Sequence, residues 1–314
     1  MTPFTIGISA GRASFCSELT LHSSATPSLV GDLDHLTSVD YDRIASIISS
    51  QIGIRLPPAK QSMVEGRLRK RVRALSLKSV RTYGDYLFRQ GGLDKELPYL
   101  IDAVTTNKTD FFRESDHFEL MRSRMVPQLL KARLGEASPL LKVWSAASST
   151  GAEAYTTAMV LAEMQAQSKD FRYAILATDV SRSVLKIGQM AIYPEEQIAP
   201  VPKAMQSRYL MFSRRNGIRN DVRIVPELRQ RVRFNYLNLM ETSYPVDRDV
   251  DIIFLRNVLI YFEKNDQQAV IERLMSHLRP GGYLVLGHSE SMIGTSAGFH
   301  QIAPAVFQKT TVAA

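Results

Sequence analysis

From residue 140 onward, short apolar runs alternate with helical stretches, and this alternation constrains the fold more than any other feature of the chain. The runs Leu140 to Ser145, Tyr173 to Thr178, Asp251 to Leu255 and Tyr283 to Leu286 are short and mostly apolar, as in strands buried on both faces, and Val232 to Tyr236 alternates apolar and polar residues as a strand can. Among them lie Ala154 to Gln165, Ser183 to Met190 and Gln267 to Leu278, which are expected to be helices. Strand–helix–strand alternation makes neighbouring strands parallel and covers the sheet on both faces, so the expected class is α/β and doubly wound. The last segment, Phe299 to Lys309, is expected to return beside the sheet as an antiparallel strand. Between Tyr209 and Val232 the rhythm breaks at Ser213-Arg214-Arg215-Asn216-Gly217 and at Val222 to Val225. Asn-Gly is a hairpin signal, which predicts a small antiparallel β-subdomain at about 209–232.

Upstream the pattern is helical. Ser38 is the expected cap of a helix with Ile44, Ile47, Ile48 and Ile52 at helical spacing and Gly53 as its stop. A second helix is expected from about Lys60 to Leu75, with Val64, Leu68, Val72 and Leu75 as its apolar stripe. Its other faces carry Lys60, Arg67, Arg69, Lys70, Arg71 and Arg73 against a single acid, Glu65. Tyr83, Tyr86 and Leu87, then Leu97, Leu100, Ile101 and Val104, mark two more helices. The organisation is therefore read as a mobile tail over 1–37 that contains Cys16, a helical domain over 38–114 and an α/β domain over 115–314.

With 314 residues, 45% of them hydrophobic, the chain can supply both cores. A single cysteine excludes a disulfide framework and a multi-cysteine metal site. The sequence has no apolar run of membrane-spanning length and no signal-peptide pattern at its start, so a cytoplasmic location is expected. A net charge of +8 predicts an acidic partner, whether nucleic acid, anionic lipid or an acidic protein face.

Candidate site residues gather where strands end. Val143-Trp144-Ser145-Ala146-Ala147-Ser148-Ser149-Thr150-Gly151 is a strand, a run of small residues and a helix start, the place where a nucleotide-like ligand approaches backbone in a doubly wound sheet. It is not a dinucleotide fingerprint, because Ala147 and Ser149 stand where glycines are needed. The next strand ends at Asp179, whose carboxylate can accept from two ribose hydroxyls or cap the following helix. Later exits carry Asn238-Leu239 and Leu255-Arg256-Asn257. Between the two expected domains, Thr105-Thr106-Asn107-Lys108-Thr109-Asp110-Phe111-Phe112-Arg113-Glu114 pairs aromatic residues with polar ones, which fits a segment packed on both domains with its polar groups over the crevice.

These motifs, together with Arg256-Asn257-Val258-Leu259-Ile260-Tyr261-Phe262 and Gly287-His288-Ser289-Glu290, closely resemble those of the chemotaxis receptor glutamate methyltransferases, the CheR family. The resemblance runs in unbroken order from about Ser38 to Lys309. It implies a Rossmann-like class I methyltransferase sheet and protein-glutamate O-methyltransferase activity in chemotactic signal transduction. It also implies S-adenosyl-L-methionine held by Asn107, Thr109, Arg113, Glu153, Asp179, Asn238, Leu239, Leu255 and Arg256. Arg113 and Tyr261 would stand nearest the transferred methyl group, with Asp179 on the ribose and Glu153 on the methionine amino group. Where the family reads Gly-Glu-Glu-Pro-Tyr, this chain has Gly151-Ala152-Glu153-Ala154-Tyr155 and keeps the acid aligned with the ligand-contacting one. The implied partner is a methyl-accepting chemotaxis receptor, whose acidic cytoplasmic helices would meet Arg67, Arg69, Lys70, Arg71 and Arg73.

The chemistry fits the residue set. A sulfonium methyl is already activated and a carboxylate is already a nucleophile, so neither a metal nor a Ser/His/Asp or Cys/His set is expected, only positioning and exclusion of water. A methyltransferase for nucleic acid or small molecules would lack the Asn107, Arg113 and Tyr261 set, and the basic helix has no interleaved aromatics for base stacking, so no nucleic-acid partner is expected. A cofactor-binding adaptor without catalysis is opposed by the presence of Arg113 and Tyr261. His288 is expected to be the one histidine near the crevice, in a structural hydrogen bond.

Overall fold

The computed structural model describes residues 34–168, 171–215, 218–293 and 298–310; the expected tail with Cys16, up to residue 33, and the Asn216-Gly217 turn lie outside them. The chain opens with α1 (Ser38–Ile52), α2 (Gln61–Ala74), α3 (Val80–Arg89) and α4 (Leu93–Val104). Thr37, one residue before the expected Ser38, caps α1 by accepting from the Asp40 backbone N–H, and Gly53 ends it at φ 71°. Ile44, Ile48, Ile52, Val64, Leu68 and Val72 meet in one core, which also takes in Leu36 upstream of the cap. Leu36 is fixed because the buried Glu65 carboxylate accepts its N–H at 2.9 Å and the Gln61 amide at 2.9 Å. Glu65 therefore faces inward and does not offset the basic surface of α2.

The helical stretch after Glu114 comprises α5 (Asp116–Leu120), a π-type turn at Met121–Met125 and α6 (Val126–Lys131). Then follow β1 (Leu140–Ala146), α7 (Ala152–Gln167), β2 (Arg172–Asp179), α8 (Arg182–Met190), β3 (Ile192–Pro194), α9 (Lys203–Tyr209), β4 (Leu210–Arg215), β5 (Ile218–Ile224), α10 (Pro226–Arg229) and β6 (Val232–Tyr236). The chain closes with β7 (Val250–Leu255), α11 (Lys264–His277), β8 (Leu278–Leu286), β9 (Phe299–Ala303) and β10 (Val306–Lys309).

The main sheet has the order β6-β2-β1-β7-β8-β10-β9, parallel from β6 through β8 and antiparallel over the last two strands. Successive strands move outward from β1 to β6, and the chain then returns to the other side of β1 with β7. The order reverses beside β1, and ligand crevices of open α/β sheets lie at such switch points. Register brings the strand ends level there, with Ala146 opposite both Thr178 and Leu255, and Asp179 opposite Tyr236.

Two details depart from the sequence expectation. Phe299 to Lys309 forms two strands rather than one, turning at Ala305 with φ 57°. The small antiparallel sheet also has a third strand, β3, beside the β4–β5 hairpin, in the order β3-β5-β4. No described helix is long and apolar enough to cross a membrane.

Candidate functional site: a crevice at the carboxyl ends of the strands

A cavity of about 920 Å³, open to solvent, lies at the switch point, walled by the loops after β1, β2, β6 and β7 and covered by residues 105–113 and by Ile52 and Ile54. The covering segment is locked from both sides. Phe111 is buried edge-on against Tyr193, with 5.0 Å between ring centroids, and the Phe112 N–H donates to Thr156 Oγ1 at 3.1 Å. Ser149 Oγ donates to the Asn107 carbonyl at 2.7 Å, tying the cover to the loop after β1. Arg67 of α2 donates to the Val104 and Thr105 carbonyls, each at 3.0 Å, satisfying the free end of α4.

The loop after β1 is left-handed at Ala147, Ser149 and Gly151, with φ of 58°, 51° and 87°. A side chain at Gly151 would lie 2.7 Å from the Phe234 ring, so this turn needs glycine both for its backbone and for its space. Asp179 stands against the loop, one carboxylate oxygen accepting from the Ser149 N–H at 2.8 Å and the other from the Ser181 N–H at 2.9 Å. Burial raises its pKa, and these backbone donors work in the opposite sense. Asp179 is not the cap of α8, because Ser181 takes that place by accepting from Val184. A carboxylate has about four acceptor positions, more than its backbone donors fill, so Asp179 keeps acceptor capacity for a ligand.

Beside it runs a chain of charges. Glu153, in the first turn of α7, accepts from Ser145 Oγ at 2.7 Å and from Arg256 Nη1 at 2.9 Å. Arg256 Nη2 donates to Glu114 at 3.0 Å and to the Arg113 carbonyl. Glu114 also accepts from Asn257 Nδ2 at 3.1 Å and from the His288 N–H at 3.3 Å. Burial would raise the Glu114 pKa, but the Asn257 and Arg256 contacts prevail and hold it below the usual range. The loop after β7 is held by Glu290, whose buried carboxylate accepts the N–H groups of Asn257, Leu259 and Gly287, each at 2.8 Å. Burial raises the Glu290 pKa against those donors.

The CheR methyltransferase all-alpha domain matches this chain over residues 39–105, and the CheR methyltransferase SAM binding domain matches over residues 107–307. The chain belongs to the CheR methyltransferase family. Among curated relatives, a chemotaxis protein methyltransferase of Borreliella burgdorferi is 35% identical over 277 residues, covering 88% of this chain and 95% of its own. Chemotaxis protein methyltransferase 2 of Pseudomonas aeruginosa is 36% identical over 90% of this chain and 98% of its own. The Escherichia coli chemotaxis protein methyltransferase is 36% identical over 82% and 85%. The protein is thus a methyltransferase, and its cofactor is S-adenosylmethionine.

In this CheR methyltransferase, Asn107, Thr109, Arg113, Glu153, Asp179, Asn238, Leu239, Arg256 and Tyr261 all line the one cavity. Leu255 does not: its side chain is fully buried in the core beside β7. Two of the lining side chains have work elsewhere. Asn238 Nδ2 donates to the Gln51 carbonyl at 2.6 Å and its Oδ1 accepts from Met240 N, joining α1 to the loop after β6. The Arg256 guanidinium, although part of the cavity wall, is engaged by Glu153 and Glu114 and so orients these acids. Arg113, half-buried, donates to the Lys108 carbonyl at 3.3 Å. Tyr261 has the Lys60 ammonium 5.7 Å from its ring centroid. Ala152 and Ala154, where the chain departs from the family pattern, are buried in the main core, and Glu153 is in place between them.

Of the arginines on α2, Arg67 caps α4, Arg69 pairs with Asp34 at 2.8 Å, and Arg71 pairs with the buried Glu96 at 2.7 Å while stacking over Tyr99 at 3.8 Å. Lys70 and Arg73 remain exposed, without an ion pair among the described residues. His288 hydrogen-bonds Asp116 at 2.9 Å, as a structural role requires, but it is not alone: the His117 ring is 4.7 Å away, and neither histidine lines the cavity. Sequence reasoning gave no role to Glu114, Glu290 or His117. The signal present was that Glu114 and Glu290 stand inside the motifs that carry the resemblance, ending Phe111-Phe112-Arg113-Glu114 and Gly287-His288-Ser289-Glu290.

Proposed function

We propose that this CheR methyltransferase transfers the methyl group of S-adenosylmethionine to glutamate side-chain carboxylates of chemotaxis receptors, forming methyl esters. The observation that carries the reading is that Arg113 and Tyr261 open onto the same cavity as Asp179 and Glu153. The donor set fits the cofactor. Asp179 offers acceptor capacity to a ribose diol, Glu153 offers a carboxylate to an ammonium, and Val180, Leu237 and Leu239 supply an apolar wall for a base. Held by Asp179, Glu153 and that apolar wall, the cofactor would supply a sulfonium methyl to a glutamate oxygen and would leave as the neutral thioether. No proton is transferred, so no general base is needed.

Arg113 holds the incoming carboxylate by a charge-assisted hydrogen bond, and the Tyr261 hydroxyl sets its orientation. Both positions suit this role, because they sit on the covering segment and on the loop after β7, at the rim of the crevice. The cover and the walls shield one side of the crevice, and a receptor segment bound at its mouth would complete the exclusion of water that strengthens these contacts. Arg256 keeps Glu153 and Glu114 in fixed positions and so acts as a positioning residue. Lys70 and Arg73 are the free cations of α2 available to an acidic receptor helix. The β-subdomain offers a second surface, and the enzyme works on receptor segments in the cytoplasm.

The test is incubation with methyl-labelled S-adenosylmethionine and membranes bearing the cognate receptors, followed by mild base. Base-labile label on receptor glutamates is expected. Label that resists base, or cofactor binding with no receptor labelling, would overturn the reading.

A further inference from the structure

Beyond Glu114, outside the cavity lining, lies a polar cluster that methyl transfer does not use. His117 of α5 is 1% exposed, and neither of its ring nitrogens has a hydrogen-bond partner among the described residues. Its Nδ1 stands 3.6 Å from Glu114 Oε2. His288 packs edge-on against it from the solvent side, with its side chain 47% exposed and its Nε2 at 2.9 Å from Asp116 Oδ2. One donor atom each from Glu114, His117 and His288 lies within 4.8 Å of the other two.

We propose that Glu114, His117 and His288 form a binding site for a divalent transition metal of the Zn²⁺ class, with Asp116 orienting the His288 ring by its hydrogen bond. Two imidazoles and a carboxylate are a nitrogen-rich set that suits Zn²⁺ and disfavours Mg²⁺ and Ca²⁺, which take oxygen. With metal–ligand bonds of about 2.0–2.1 Å, two ligands on a tetrahedral ion sit roughly 3.3 Å apart. The His117–Glu114 spacing of 3.6 Å is already close to that value. His288, half-exposed, provides the movement that closes the set and the side from which an ion enters. Unpaired nitrogens on a buried ring are unfavourable, and a metal bond satisfies one of them.

Occupation reaches the cavity through Glu114. The Oε2 that faces His117 is the atom that accepts from Arg256, whose other arm holds Glu153. A metal on that oxygen competes with Arg256 and loosens Glu153. This consequence, unlike the site itself, rests on the role given to Glu153 above.

The experiment uses the full chain, stripped by chelator and titrated with Zn²⁺ against a chromophoric competitor, and with Co²⁺ followed by its visible ligand-field bands. One equivalent per chain is expected at the site, and His288→Ala should weaken it about tenfold or more. That variant keeps the backbone N–H that bonds Glu114, and an unchanged thermal melt confirms that it folds. Absence of binding, or equal binding by wild type and His288→Ala, overturns the site, since the metal would then be on other residues such as His35, His277 or Cys16. Zn²⁺ should also weaken S-adenosylhomocysteine binding in wild type and not in His288→Ala. Unchanged affinity with Zn²⁺ bound would overturn the coupling through Arg256. Loss of receptor methylation alone bears on neither outcome, because both readouts are binding measurements.

Discussion

Replacing Asp179 with asparagine separates two jobs of that carboxylate, building the loop after β1 and holding a ligand. In the free protein its oxygens accept the Ser149 and Ser181 N–H groups at 2.8 and 2.9 Å. An amide keeps one acceptor and turns an NH₂ toward the other donor, so about 1.5–3 kcal/mol of charge-assisted bonding is lost. Burial works the other way. The Asp179 pKa is raised, so the ionised form is disfavoured in the fold, and the neutral amide escapes that penalty. The two terms oppose each other, and the net change in folding stability should stay within about 1 kcal/mol. Ligand binding has no such compensation. With two ribose hydroxyls to satisfy and one acceptor left, S-adenosylhomocysteine should lose about 1.5–3 kcal/mol, or roughly 10- to 100-fold in Kd. Hydroxyl donors favour the charged carboxylate, so binding lowers its raised pKa and wild-type affinity falls as pH drops toward that pKa. The variant should lose this slope. Calorimetric titration across pH, paired with urea unfolding, measures both quantities. Unchanged affinity together with a stability loss above about 2 kcal/mol would refute the reasoning, since it would make Asp179 a loop staple and nothing more.

Arg113→Ala should lower kcat/KM on receptor membranes by about tens- to hundreds-fold, the worth of one charge-assisted contact, with little change in melting because its side chain bonds only the exposed Lys108 carbonyl among the described residues. Gly287→Ala should destabilise the fold by about 1–3 kcal/mol and reduce turnover as well, measured by denaturation and receptor labelling. Its new Cβ would lie 2.5 Å from Asn257 Nδ2 and 2.9 Å from Glu290 Oε2, displacing the loop that carries Arg256 and Tyr261. His117 should make the fold acid-sensitive, since burial, with Arg256 nearby, holds its pKa down at about 4 against an ordinary 6.5. A depressed folded pKa gives stability that is present above pH 6.5 and lost as pH falls through 4, by about 3 kcal/mol in all. In chelator-containing buffer, His117→Phe should flatten that part of the stability–pH curve; an unchanged slope would show that other groups carry it.

The parallel sheet and its crevice were readable because strand length, apolar continuity and the position of strand exits are local properties. Asp179 follows directly from where β2 ends, whereas Glu153 was legible through the family resemblance of Gly151-Ala152-Glu153-Ala154-Tyr155. What escaped reading depends on distant partners or on conformations that residue type does not announce. β3 is three residues long, too short for a periodic signal, and exists because β5 lies beside it. The turn between β9 and β10 puts Ala305 in the left-handed region, where no glycine or asparagine marks it. On α2 the sequence shows a basic face, yet Arg71 is matched by Glu96, 25 positions along the chain. Glu65 and Glu290 run against the rule that acids stay in water, and their burial is explained by the donors around them, the Leu36 N–H with the Gln61 and His35 side chains in one case and the N–H groups of Asn257, Leu259 and Gly287 in the other.

The same escape explains how the crevice works without a glycine-rich loop. Phe112, Glu114, Ala147, Ser149 and Asn257, all with side chains, take left-handed backbone around it, at φ between 51° and 58°. Each such residue is disfavoured by about 1–2 kcal/mol and persists only where its surroundings fix it. Here they do: Ser149 is held by Asp179 and by the Asn107 carbonyl, Asn257 by Glu290 and Glu114, Glu114 by Arg256, and Phe112 by Thr156. A glycine loop would reach these conformations freely and would leave them as freely. Side-chain-bearing residues held by buried carboxylates stay put, so the acceptors for ribose and ammonium are in position before a ligand arrives. A reaction that needs alignment and dryness rather than acid–base chemistry gains most from that kind of rigidity.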